Sequence, residues 1–84
     1  MTERSRAHRI LAEIVDEAFG HSIVAVIAAL RHELGHVPTC VAVVPLDVLA
    51  RIAELRTRAL ARRWRVPAST VRRAIVLAAK GRVR

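Results

Sequence analysis

The chain has 84 residues, a net charge of +8 and a 54% hydrophobic composition that includes one Phe, one Trp and no Tyr. A chain this short makes one domain at most and buries roughly 60–65% of the surface its unfolded form exposes, so a homodimer is expected to supplement its core. The aliphatic composition excludes a disordered polypeptide and points to packed helices. The longest apolar run, "SIVAVIAAL", is about half of what a bilayer-spanning helix needs, the sequence opens without a basic-then-apolar leader, and Cys40 is a lone cysteine. A cytoplasmic protein with no membrane partner and no internal disulfide is expected.

Charge is distributed unevenly. Residues 1–38 carry four arginines against five carboxylates, a net −1, and residues 39–57 balance at zero. From Arg58 onward there are eight arginines and one lysine with no acidic residue, a net +9 over the last 27 positions. A solvated helical surface normally mixes both signs, so this half predicts an anionic partner, double-stranded DNA foremost.

In chain order, Ile10, Leu11, Ile14, Val15, Ala18 and Phe19 recur at three- and four-residue steps between Thr2 and Phe19, opposite Glu13, Asp16 and Glu17, which predicts an amphipathic helix ending at Gly20. Ser22 is placed to cap a second helix, with Ile23, Val26, Ile27, Leu30 and Leu34 on one side and a stop near Gly35. Pro38 prevents continuation. The following "TCVAVV" is short and rich in β-branched residues, and predicts a strand before Pro45. Asp47 is placed to cap a third helix of about five turns, with Leu49, Ile52, Leu55, Ala59, Leu60 and Trp64 inward and Trp64 as a core anchor. "RVPAST" breaks that helix at Pro67. Ser69 is then expected to cap a last helix running to Gly81 with Val71, Ala74, Ile75 and Ala78 inward.

"HELGH" at 32–36 matches the spacing of zinc metallopeptidases, in which two histidines at i and i+4 hold the metal and the glutamate between them acts as general base. A catalytic zinc needs a third protein ligand, and "HVPTCVAVV" offers none at a recognisable spacing. His21 stands roughly 16 Å away along a continuous helix. The expectation is therefore a solvated helix end at His32, Glu33 and His36, with neither metal nor cofactor and no catalysis, and the remote alternatives are a structural zinc or nickel site and a zinc metallopeptidase-like site.

Strand, helix, turn and helix within 39–81 resembles the ribbon-helix-helix family of Arc and MetJ type, through "VPLDVLARIAEL" at the strand-to-helix junction and "STVRRAI" opening the second helix. The resemblance implies a mainly α fold with one short β-strand, in which two copies pair their strands and place Thr39, Val41 and Val43 in the major groove. Valine reads only a thymine methyl there. The 38 residues in front would form an added helical hairpin, residues 2–35, that enlarges the dimer or binds a second protein. "RALARRWRVPASTVRRAI" also resembles a helix-turn-helix, with Ala61 at the tight helix contact, Val66 in the turn, "STVRR" opening a recognition helix and Arg65 where that motif usually has Gly. That alternative implies an all-α fold. Both resemblances imply a DNA-binding protein of the repressor, antitoxin or plasmid-maintenance class, with Arg63, Arg65, Ser69, Thr70, Arg72 and Arg73 at the DNA. The rival from another class is an interaction or oligomerisation module with a basic tail.

Overall fold

In the computed structural model, which describes residues 3–80, the chain folds into five α-helices: α1 Glu3–Ala18, α2 Ile23–Leu34, α3 Leu46–Glu54, α4 Thr57–Trp64 and α5 Ala68–Ala79. Thr2 and Gly81, the expected ends of the first and last helices, lie outside the described residues. No described helix is long and apolar enough to cross a membrane.

The apolar stripe of α1 places Ala7, Leu11, Ile14, Val15 and Ala18 inside. Its chain direction reverses through Gly20 and His21, both in the left-handed region at φ 62° and 61°. Ser22 caps α2 as expected, its hydroxyl accepting from the Ala25 amide at 3.2 Å, and Gly35 at φ 79° closes it by donating to the Arg31 carbonyl. Only Val26 and Leu30 of α2 are fully buried, while Ile23 and Ile27, expected inward, face solvent.

Residues 39–44 do not form the expected strand. Cys40 is extended, Val41–Val43 make one 3-10 turn closed by the Val44 amide on the Val41 carbonyl at 3.0 Å, and Val44 drops into the core. β-branched residues favour strands because they pack on a pleated, half-buried surface. Here a single turn seats Val44 and half-buries Val41, and no sheet exists among the described residues. The ribbon-helix-helix architecture is thereby overturned and the all-α alternative fits. Thr39, Val41 and Val43 lose their role as an outward-facing ribbon: Thr39 and Val43 are exposed in a connecting segment, and Val41 leans on the core.

The expected five-turn third helix is two helices. The Arg56 amide bonds back to Ala53, Arg56 leaves helical geometry at φ −111°, ψ 22°, and the Thr57 hydroxyl donates to the Glu54 carbonyl at 2.6 Å. Leu49, Ala53 and Leu60 are buried on either side of the break and stay in phase across it, so periodicity passes through it unmarked. Leu55 caps α3 and is exposed. Neither Asp47 nor Ser69 caps its helix. Pro45 and Pro67 hold those positions in extended geometry, and their carbonyls receive the first helical bonds from Leu49 and from Thr70 and Val71. Asp47 and Ser69 lie instead in the first turns.

One core joins the helices, and α1 packs against each of the other four. The His8 Nε2 proton is donated to the Val44 carbonyl at 2.9 Å, which fastens the 3-10 turn to α1.

Proline at position 41 separates the two readings of this segment. In a paired ribbon it would delete ladder hydrogen bonds. At the start of a 3-10 turn preceded by an extended residue it fits the backbone. Val41→Pro is expected to keep its helical circular dichroism, at a cost of about 1 kcal/mol for weakened packing, read as a thermal shift.

Candidate nucleic-acid interface

The pair α4 and α5 is joined by a three-residue turn whose shape is set at Arg65. That residue adopts φ 56°, ψ 47°, and the amides of Arg65 and Val66 both reach the Ala61 carbonyl, the latter at 3.1 Å. A non-glycine residue in this region costs about 1–2 kcal/mol. Val66 packs against the core beside Trp64 and Ala61, and Pro67 starts α5. Val71, Ile75 and Ala78 are fully buried on the inner side of α5. The outer side presents Ser69, Thr70, Arg72, Arg73, Val76, Leu77 and Lys80.

This arrangement keeps Arg65, Ser69, Thr70, Arg72 and Arg73 together on one exposed unit, as the sequence suggested, and separates them from Thr39, Val41 and Val43. Because α5 begins at Ala68, Arg72 and Arg73 sit in its second turn and not its first. The first turn exposes the hydroxyl-bearing Ser69 and Thr70 and carries no carboxylate. Sequence reasoning missed Arg58 and Arg62. They lie four residues apart on the exposed side of α4 and line a shallow groove with Arg56, Glu54 and Arg72 of α5. Their i, i+4 spacing was the available signal, since it puts both on one side of any helix through these residues. Among the described residues, Arg58, Arg62, Arg65, Arg72 and Arg73 form no ion pair with a carboxylate.

Arg63 behaves differently from its neighbours. Its Nη2 donates to His21 Nε2 at 2.9 Å, so the imidazole accepts there and its Nδ1 proton is donated to Asp16. One residue on, the Trp64 indole donates to Glu17 Oε2 at 2.7 Å. Arg56 stacks over the Phe19 ring, 4.6 Å from its centroid. The C-terminal end of α1 is thus pinned to both ends of α4.

The HELGH stretch does not form a metallopeptidase helix. α2 ends at Leu34 and Gly35 turns left-handed, so His36 leaves the helical face that His32 occupies. Glu33 accepts from Arg51 Nη1 at 3.3 Å. Among the described residues no three His, Cys, Asp or Glu side chains come together to hold a metal ion.

Compared with protein families, with curated proteins and with solved structures, the chain gives no match.

Glycine has no Cβ to strain at the Arg65 position, although it enlarges the conformational freedom of the unfolded chain. Arg65→Gly is expected to stabilise the fold by about 0.5–1 kcal/mol, a Tm rise of roughly 2–8 °C in differential scanning calorimetry. An unchanged or lowered Tm would mean that the left-handed residue carries no strain.

Proposed function

We propose that this protein binds double-stranded DNA through the helix-turn-helix formed by α4 and α5, with α5 as the helix that enters the major groove, and that it serves as a regulator of the repressor class. The observation that carries the reading is the exposed outer surface of that pair. Seven basic residues from Arg58 to Lys80 are accompanied by no acid over the same span, and they stand on a helix–turn–helix closed by a left-handed residue.

Physical chemistry supports the reading at three points. Unpaired guanidinium groups close to one another repel, and a phosphate backbone removes that repulsion while releasing counterions. The free amides and hydroxyls at the start of α5 suit a phosphate oxygen, because helix N-termini favour anions. Arginine at position 65 occupies a conformation in which glycine would cost less. Strain of this kind persists where a side chain has a use, and a guanidinium beside the turn is well placed for a backbone phosphate. In this scheme Arg58, Arg62 and Arg65 hold phosphates and fix the register, while Thr70, Arg72 and Arg73 meet base edges. The partners are duplex DNA and a second copy of the chain.

The test is fluorescence anisotropy with duplex DNA over a salt series, joined to selection from a random duplex pool. Wild type is expected to enrich a sequence motif. Arg72→Ala combined with Arg73→Ala is expected to abolish the enrichment, whereas Arg58→Ala combined with Arg62→Ala is expected to flatten the plot of log affinity against log salt by about 0.9 for each phosphate no longer neutralised. Failure to enrich any motif, or enrichment that survives the loss of Arg72 and Arg73, would remove α5 from the interface.

A further inference from the structure

The outer side of α2 has no structural explanation within a single copy. Ile23 is 59% exposed, Val24 75% and Ile27 38%, and Val37 just beyond the helix is 55% exposed. Val24, Ile27, Ala28, Arg31, His32 and Val37 line one shallow groove. Helix α2 rests mainly on α1 and α3, and among the described residues nothing covers the exposed side chains on its far side.

We infer that this face is where a second copy of the chain docks, α2 against α2 in antiparallel two-fold contact. The four exposed side chains offer on the order of 400 Å² of apolar surface per copy, near the roughly 450–500 Å² that an ordinary interface of about 800 Å² per partner contains.

A two-fold axis passing between Ile27 and Ala28 sets a large residue against a small one on both sides of the axis, which lets the helices approach closely. The same symmetry lays the Arg31 stem over Val24 of the other copy. It carries the guanidinium toward the end of the other α2 that begins beside Asp16, whose carboxylate is held at the α1–α2 turn by His21.

The chain carries +8, yet residues 1–38 balance at −1, so two copies repel least where their hairpins meet. The second copy also leaves α5 uncovered, since α5 packs on α1, α3 and α4. This inference deepens the partner reading above but rests on the α2 surface, not on DNA.

Sedimentation equilibrium of the full chain without DNA tests it. Wild type is expected to be a dimer at micromolar concentration. Val24→Glu should raise the dissociation constant by roughly 30-fold or more, since by symmetry the change enters the interface twice, with helical circular dichroism unchanged because the site is exposed. Ile23→Glu provides the same reading should Val24→Glu lose its fold. Val76→Glu, on the exposed side of α5, should leave the dimer intact.

A monomeric wild type, a dimer indifferent to both α2 changes, or a dimer broken only by Val76→Glu would overturn the inference. Dimerisation through α2 in a protein that enriches no DNA motif would leave it standing and remove only the DNA reading.

Discussion

Everything that α4 and α5 present to solvent depends on the burial of one stripe of α1. Leu11 and Val15 are all but inaccessible, and their helix packs against each of the other four. Folded domains of this size have a margin of only about 4–13 kcal/mol, and truncating a fully buried leucine costs about 2–5 kcal/mol. The stripe therefore bears a large share of what separates folded from unfolded chain. The polar ties at its C-terminal end add direction to that burial. The Glu17 acceptor for Trp64, the His21 acceptor for Arg63 and the Phe19 ring under Arg56 fix how α4 lies against α1. A short helix of eight residues would have little stability alone. Held at both ends, it becomes a platform on which the turn at Arg65 can orient α5.

The arginines from Arg51 to Arg73 fall into two groups. Arg51, Arg56 and Arg63 are engaged inside the chain, by Glu33, Phe19 and His21 respectively. Arg58, Arg62, Arg65, Arg72 and Arg73 are exposed, and none reaches a carboxylate among the described residues. Surface ion pairs contribute little to stability, so a missing partner alone says little about folding. Its significance lies in the field. Several like charges over one low-dielectric unit produce a positive potential that neighbouring carboxylates would otherwise cancel. The acidic residues lie on α1, α2 and α3, all before Arg56 in the chain, where Asp16, Glu17 and Glu33 tie the helices together, and of them only Glu54 lines the groove with Arg58, Arg62 and Arg72.

What the sequence made legible follows the physics of each signal. Amphipathic periodicity placed α1 and the inward face of α5, because Leu11, Val15, Val71 and Ile75 repeat at helical spacing over three turns or more. Ser22 and Gly35 were readable as helix ends, since capping oxygen and left-handed geometry are chemically specific demands. The break at Arg56 was not readable. Neither proline nor glycine marks it, and the buried positions stay in phase across it. In the segment 39–44, β-branched propensity misleads because it says nothing about which surface those side chains would pack on. Two prolines leave only six residues between them, and one buried valine, Val44, satisfies the core. Of the candidate interface, the α5 residues were legible from charge and motif. Arg58 and Arg62 share a side at this spacing in any helix, but that this side meets Arg72 of α5 is set by the packing of α4 on α5, which the spacing does not encode.

The five helices divide into surfaces with different chemistry, and the packing order explains why these do not interfere. α2 touches α1 and α3, whereas α4 packs on α5 and α1, so α1 and α3 lie between the apolar face of α2 and the basic face of α4 and α5. A face rich in valine and isoleucine would be poorly placed beside unpaired guanidinium groups, because association would have to desolvate them. Separating the two faces avoids that cost. It also lets a chain of 84 residues keep a small core and still offer two surfaces, one apolar and close to neutral, the other polar and strongly positive. The turn at His21 is where these surfaces are coupled. One residue before the Ser22 cap of α2, it holds Asp16 through one ring nitrogen and Arg63 of α4 through the other. The entry to the apolar helix and the exit of the basic one are thereby fixed to a single imidazole.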